Sequence, residues 1–215
     1  MCLSVALEED QNLPKLIDRI HKKNPDLVEF RVDTLQRLSI LEDISKQKSF
    51  PAIITDKTRR GSLTRKIPLE AASFGFEFVD VDLASDLTKG ELREIKENGA
   101  EVIVSFHNNS TTPPKPVLKK ILQLAAKKGG DIFKIVTTAT KPEDNLSLLT
   151  FLAENSRKTR LVCFAMGELG VPSRVLSPLF GSEFTFAAFS ERELTAPGQL
   201  SIDNLRSAWS LLGLR

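Results

Sequence analysis

The sequence predicts an α/β protein, a single (β/α)8 or TIM barrel. Three observations predict it. Eight short apolar or alternating runs recur along the 215 residues. Each run is followed by a segment with helical spacing or helix-forming composition. Within several runs the polar residues share one face and gather toward the carboxyl end. Strands alternating with helices argue for parallel βαβ units. Eight such units fit one closed barrel, at the short end of its length range. An open doubly wound sheet shares the alternation and is the structural alternative. No linker or low-complexity segment divides the chain, so residues 1–215 are read as one barrel domain.

The strands are read, in order, as Cys2–Leu7, Asp26–Asp33, Pro51–Lys57, Phe78–Leu83, Glu101–His107, Asp131–Thr138, Thr159–Met166 and Phe184–Phe189. The first helical stripe is Leu13, Leu16, Ile17 and Ile20, at helical spacing. Leu35, Leu38, Leu41 and Ile44 form the second. The third segment, Arg65–Gly75, is short, and its Pro68 suits a first helical turn. Leu87–Asn98 ends in Asn98-Gly99, a helix stop. Pro116–Lys128 carries Val117, Ile121, Leu122, Leu124 and Ala125, and runs into Gly129-Gly130. Pro142–Ser156 opens with a proline and early acids. Pro172–Phe180 is a weak helical signal. Ser201–Leu212 starts at a residue suited to an N-cap.

Composition narrows the function. The chain is 41% hydrophobic and 27% charged, ordinary for a soluble globular protein. Lys+Arg number 30 against Asp+Glu 28, which gives no electrostatic footprint for nucleic acid or an anionic membrane. The N-terminal MCLSVALEED lacks the basic region and long apolar core of a signal peptide. No apolar run is long enough to cross a bilayer. The two cysteines, Cys2 and Cys163, do not make a disulfide framework, so a reducing cytoplasm is the simplest compartment. No metal-ligand spacing, Walker motif or dinucleotide-binding glycine pattern is present.

The two-residue period of a strand then sorts the side chains. Glu29, Arg31 and Asp33 share a face, and so do Ile53, Thr55 and Lys57. Asp80 and Asp82 oppose Val79, Val81 and Leu83. Ser105 and His107 oppose Val102, Val104 and Phe106. Lys134 shares its face with Ile132 and Val136. Helices ringing the barrel demand an apolar outer face, so the polar set points inward. Glu29, Arg31, Lys57, Asp82, His107 and Lys134 converge at the carboxyl mouth, where barrel enzymes build their sites. A satisfied charge network plugging the barrel accounts for Asp80 and Asp82, but less well for a lysine and a histidine arriving together.

Lys134 is the centre of that set. A lysine facing a core must find a partner or lose its charge. Desolvation is expected to lower its pKa and leave an amine able to attack a ketone. The plainer alternative is a buried stem with the ammonium reaching water. His107 has the pKa range to move protons at an iminium. The other histidine, His21, reads as a solvated helix residue. After strands seven and eight, Gly170-Val171-Pro172-Ser173-Arg174 and Thr195-Ala196-Pro197-Gly198-Gln199 supply an arginine, a hydroxyl, an amide and free backbone N–H groups. Together these suit a carboxylate or a phosphate.

Val28-Glu29-Phe30-Arg31-Val32-Asp33, Ser105-Phe106-His107, Asp131-Ile132-Phe133-Lys134-Ile135, Ala165-Met166-Gly167, Ser173-Arg174 and Ala196-Pro197-Gly198-Gln199, in that order, resemble the type I 3-dehydroquinate dehydratases of the shikimate pathway. The resemblance covers nearly the whole chain. It implies a (β/α)8 barrel without metal or organic cofactor, acting on 3-dehydroquinate. It implies that Lys134 forms an imine with the C3 ketone, and that His107 takes a proton from C2 and later protonates the departing C1 hydroxyl. Arg174 and Gln199 would bind the substrate carboxylate and nearby oxygens. Glu29 and Arg31 would orient the ring hydroxyls and the lysine region. One stretch departs from the family pattern. In Thr55-Asp56-Lys57-Thr58-Arg59-Arg60-Gly61-Ser62, Lys57 stands where an arginine is usual. No acid precedes Gly61, although such an acid helps hold the family's histidine. Thr195 replaces a common serine and keeps the hydroxyl. The family often dimerises, but no interface is legible here. Two other readings remain at this level: a Schiff-base aldolase or transaldolase barrel, and a non-catalytic barrel that binds a small carboxylate.

Overall fold

A computed structural model describes residues 1–58 and 62–213. Its strands are β1 (Cys2–Ala6), β2 (Leu27–Arg31), β3 (Ala52–Thr55), β4 (Phe78–Asp82), β5 (Glu101–Asn108), β6 (Ile132–Thr138), β7 (Leu161–Met166) and β8 (Phe186–Ala187). The helices are α1 (Leu13–Lys23), α2 (Ser39–Gln47), α3 (Ser62–Ser73), α4 (Lys89–Glu97), α5 (Lys115–Lys128), α6 (Glu143–Asn155), α7 (Val171–Leu176) and α8 (Ile202–Leu211). All the strand pairings are parallel, and the order is β7-β6-β5-β4-β3-β2-β1-β8. The sheet curls so that Glu183 N–H, just before β8, donates to Leu161 O of β7 at 3.0 Å. The architecture is the (β/α)8 barrel that the alternation predicts, not an open sheet.

Each strand has two apolar environments. Val28, Phe30, Val79, Val81, Val102, Val104, Phe133 and Ile135 pack outward against the helices. Cys2, Leu27, Ile53, Ile103, Ile132, Val162 and Phe186 pack inward among themselves. The inward apolar layer fills the lower barrel and leaves the upper interior to the polar residues of the same faces.

Local chemistry explains most helix limits. Asn12 caps α1 by accepting from Lys15 N–H at 3.0 Å, and Asn24 ends it in the left-handed region at φ 45°. Thr88 and Glu91 form a reciprocal capping box at the start of α4. Ser201 caps α8 through Asn204 N–H at 3.3 Å. Two expectations need correction. Helix α3 begins at Ser62, so Pro68 lies inside it rather than in its first turn. A proline there removes one main-chain donor and leaves an i−4 carbonyl to other partners. The weak seventh helix is two 3-10 turns, 168–170 and 177–180, flanking a short α7. Arg59, Arg60 and Gly61, which carry the departure noted above, lie outside the described residues. Among the described residues no helix is long and apolar enough to cross a membrane.

Candidate active site

Lys134 rises from the middle of β6 into the upper barrel and is almost completely buried. Register sets its neighbours. Lys134 is level with Ser105 on β5, and Thr55 on β3 is level with Asp80 on β4. The Lys134 ammonium lies 2.5 Å from Asp80 Oδ2 and 3.5 Å from Glu29 Oε1. It also sits 4.8 Å from the centre of the Phe186 ring. Glu29 is fixed from both sides. Its Oε2 accepts from Ser4 Oγ at 2.5 Å, and its Oε1 from Thr55 Oγ1 at 2.9 Å.

This environment corrects one expectation. Burial alone would lower the Lys134 pKa, but the Asp80 and Glu29 carboxylates outweigh it and raise the value above the ordinary 10.5. At rest Lys134 is an ammonium. Asp80 shows the mirror balance. Burial alone would raise its pKa, but Lys134, Lys57 and His107 hold its carboxyl well below the usual carboxylate range.

Asp80 is shared. Its Oδ1 accepts from the Lys57 ammonium, and from Ser105 Oγ at 2.6 Å. Lys57 Nζ donates in turn to Ser105 Oγ at 2.6 Å. Burial drives the Lys57 pKa the other way, below 10.5. Asp33 joins Lys57 to Arg31. Its Oδ1 accepts from Lys57 N–H at 2.6 Å and its Oδ2 pairs with the Arg31 guanidinium at 2.6 Å. His107 is half-buried at the upper end of β5. Burial, and then the Lys57 and Lys134 charges, push its imidazole well below 6.5, so it rests neutral at pH 7.

Above this network sit two loops. Gly170 is buried so close to β7 that a Cβ would lie 2.7 Å from the Ala165 carbonyl oxygen. Ser173 Oγ accepts from Ala165 N–H and donates to Gly170 O, both at 2.9 Å, and Ser173 N–H donates to Asn145 Oδ1 at 3.0 Å. These bonds pin α7 and aim Arg174 inward. Arg174 is 1% exposed. Its guanidinium lies 4.5 Å from the Phe164 ring centre and makes one long contact, 3.4 Å, to Pro197 O. Its Nε has no partner among the described residues. In the second loop, Gln199 Oε1 accepts from Thr195 N–H at 2.7 Å and from Thr195 Oγ1 at 3.0 Å, which leaves the amide N–H groups for the cavity. Thr195 Oγ1 also contacts Ser4 Oγ at 2.9 Å, tying the last loop to the first strand.

Glu29, Arg31, Lys57, His107, Lys134, Arg174, Thr195 and Gln199 all line one cavity of about 50 Å³. Every site residue expected from the sequence is therefore brought together, except Asp82. Asp82 does not line this cavity; it accepts from Ala84 N–H at 2.8 Å and borders a neighbouring pocket with Lys57 and Asp80. Asp80, two residues earlier, takes the place expected of it. Ser4, Thr55, Asp80 and Ser105 were not singled out. Alternation puts Asp80 and Ser105 on the inner face, but nothing local distinguishes the acid that reaches Lys134 from the one two residues later, which the register pairs with Ser105. Among the described residues no cluster of His, Cys, Asp and Glu is arranged to hold a metal.

The cavity sets the Lys134 ammonium and a neutral imidazole beside a guanidinium that no carboxylate among the described residues answers. A family model for type I 3-dehydroquinase matches residues 1–215. The 3-dehydroquinate dehydratase of Methanocaldococcus jannaschii is 32% identical over 225 residues, covering 100% of both chains. That of Pyrococcus abyssi is 34% identical over 212 residues, covering 94% of each. The crystal structure of the Geobacillus kaustophilus 3-dehydroquinate dehydratase superposes with a TM-score of 0.89 at 28% identity, over 99% of this chain and 90% of that one. With the model matched end to end and relatives this similar over their full length, the chain belongs to the type I 3-dehydroquinase family, a family of hydro-lyases.

Proposed function

We propose that the protein dehydrates 3-dehydroquinate to 3-dehydroshikimate through an imine on Lys134, with His107 as general base and then general acid. One observation carries the reading. A buried arginine with no carboxylate partner among the described residues shares a small cavity with a buried lysine and a neutral histidine. A buried guanidinium is costly unless an anion answers it. The substrate carboxylate is that anion, paired with Arg174 and the Gln199 amide.

The steps follow from charge. Lys134 attacks the C3 carbonyl and water leaves, giving an iminium. The iminium withdraws electrons from the C2–H bond, so a neutral imidazole is a strong enough base to break it. The electron pair left at C2 forms the enamine. His107, now protonated, gives its proton to the C1 hydroxyl, which leaves as water while the conjugated iminium forms. Hydrolysis then frees Lys134. Arg31 and Glu29 border the ring, Glu29 holding the lysine end. The unit is one barrel, residues 1–215, working on a small molecule.

The test is incubation with 3-dehydroquinate and borohydride, followed by intact-mass analysis. The expected result is one reduced adduct on the native protein, none on Lys134→Ala, and an ultraviolet-absorbing conjugated enone in unreduced samples. An adduct on the Lys134→Ala protein would show that the nucleophile lies elsewhere. A native protein that binds 3-dehydroquinate without adduct or enone would favour a carboxylate-binding barrel instead.

A further inference from the structure

Asp80 meets Lys134, and Ser105 meets Asp80, yet neither of the two lines the cavity that holds Lys134 and His107. Both are buried. Whatever Ser105 does for the reaction, it does through its neighbours.

We propose that Ser105 is a positioning residue, whose hydroxyl fixes the Asp80 carboxylate so that one oxygen serves Lys134 while the other is shared with Lys57. That division limits how tightly the Lys134 proton is held. The inference rests on the imine reading above and concerns the readiness of its amine.

Ser105 sits in the middle of β5, level with Lys134 on β6. Its Oγ donates to Asp80 Oδ1 at 2.6 Å and accepts from Lys57 Nζ at 2.6 Å. The Lys57 ammonium also donates to Oδ1, which closes a triangle. The other oxygen, Oδ2, lies 2.5 Å from Lys134 Nζ. Ser105 is the fixed corner of that triangle. Its side chain turns about one torsion from a central strand, whereas Lys57 reaches in on a flexible four-carbon stem from beyond the end of β3. Without the hydroxyl, the Asp80 carboxylate is freer to turn, and Lys57 loses the second acceptor that keeps it on Oδ1.

The chemistry gives this arrangement a purpose. The Lys134 nitrogen is positive as an ammonium and positive again in the iminium. It is neutral only when it attacks the carbonyl. A counter-ion steadies both charged forms and disfavours the neutral one between them, so a stronger counter-ion makes the passage slower. Two donors on Oδ1 draw negative charge to that side and favour the ionised carboxylate. Asp80 is thereby a weaker partner for Lys134 than an undivided buried carboxylate would be. Among the described residues, the titratable and charged groups facing Asp80 are Lys57 from beyond β3, His107 on β5 and Lys134 on β6. Glu29 and Arg31 of β2 act on Lys134 from the other side.

The test compares native, Ser105→Ala, Ser105→Thr, Asp80→Asn and the Ser105→Ala/Asp80→Asn double variant, each first checked for a native thermal transition. Each is mixed rapidly with 3-dehydroshikimate, whose ketone can form the imine with no dehydration to follow. Samples are quenched into borohydride after timed intervals and weighed intact. Ser105→Ala is expected to acquire its adduct about 3- to 10-fold more slowly than native at pH 7, the weight of one hydrogen bond. The amount trapped once the reaction levels off should stay near native, because the nitrogen carries the same charge in ammonium and iminium. Affinity for quinate, which has no ketone, should stay near native too. Ser105→Thr keeps the hydroxyl and should return the rate toward native. With Asp80→Asn already present, Ser105→Ala should slow the reaction no further, since its effect runs through that carboxylate. The proposal is overturned by a Ser105→Ala protein that reacts at the native rate, or that loses quinate affinity in step with its rate. An undiminished effect of Ser105→Ala beside Asp80→Asn overturns it as well. If Asp80→Asn does not pass the folding check, the Ser105→Ala rate, the Ser105→Thr rescue and the quinate affinity decide it. A native protein that gains no mass at all is a different outcome, and overturns the imine reading itself.

Discussion

Replacing Arg174 with methionine separates what this side chain contributes to binding from what it costs the fold. Its pKa falls from an ordinary 12.5 to about 10 because burial penalises the charged form. That difference corresponds to about 3 kcal/mol against the folded, empty protein. The sign follows from linkage. A basic group with a depressed folded pKa destabilises the fold fully below about pH 10, and the penalty fades as pH rises toward 12.5. Methionine removes that penalty and keeps apolar contact with Phe164. It forfeits the guanidinium–ring attraction, worth about 0.5–2 kcal/mol, and one long hydrogen bond. The empty Arg174→Met protein should therefore be more stable than native by about 1 kcal/mol or more, a rise in Tm of about 2–4 °C for a domain of this size. Binding should move oppositely. A charge-assisted hydrogen bond to a carboxylate is worth about 1.5–3 kcal/mol, so kcat/KM for 3-dehydroquinate should fall by about 10- to 150-fold. Arg174→Lys should recover only part of that, since an ammonium lacks the planar fork. Thermal melts with and without quinate, alongside steady-state kinetics, measure both halves. Quinate should raise the native Tm and leave the variant nearly unmoved. A variant that melts lower than native while empty, or that keeps native kcat/KM, would refute the assignment of Arg174 as an anion receptor held ready at the expense of stability.

Three further outcomes are expected. The acid limb of the kcat/KM profile should lie well below pH 6.5, because burial and then Lys57 and Lys134 keep His107 neutral into acid; a limb at or above 6.5 would count against His107 as the base. Asp80→Asn leaves two ammonium groups in the barrel without their shared counter-ion and should cost about 3–5 kcal/mol in urea denaturation at pH 7. In the native protein that contribution is present above the unfolded value of 3.8 and is lost only as pH falls through the lower folded one; an equally stable Asn variant would remove Asp80 from the charge balance. Gly198→Ala should lower both stability, by about 1–3 kcal/mol, and kcat/KM, because φ is +69° there and the new Cβ would run into the Gly167 carbonyl. Gly99→Ala has a similar φ of +90° but open space around it, so it should leave kcat/KM unchanged.

Much of this site was legible because its signals are local. A lysine alone in an apolar, β-branched strand has to face inward, and alternation places Glu29, Arg31, Lys57 and His107 on inner faces without any knowledge of the neighbours. Arg174 and Gln199 were found from loops that the eight-fold alternation puts at the same mouth. What stayed hidden depends on pairing between strands. Asp80 and Asp82 share a face, and the register pairs Asp82 with Ser105, the neighbour of Lys134, so only the packed barrel interior shows that Asp80 is the one that meets Lys134. The charge of Lys134 was misjudged for the same reason: desolvation is visible along one strand, but the two carboxylates that outweigh it arrive from β2 and β4. The Thr88–Glu91 capping box was a local signal that was available and not used. Pro68 was placed in a first turn because a proline marks a helix start more often than it sits within one.

The joint between the ends of the chain has a consequence for how the barrel assembles. Strand β8 has only two residues, Cys2 pairs with Phe186, and Ser4 meets Thr195 across 191 positions of sequence. Closing that contact gathers almost the whole chain into one loop, whose entropy must be given up before any bond across the joint returns it. The neighbouring β7 edge adds the Glu183–Leu161 bond. Ring closure therefore comes late in folding and is the first thing lost in local opening, which amide hydrogen exchange would record as weaker protection in β8 than in β5 or β6. Arg174 follows β7 and Gln199 follows β8, so a carboxylate held by both would tie the weakest edge of the circle together. Its binding energy would then favour the closed ring, and a bound ligand should raise the exchange protection of β8.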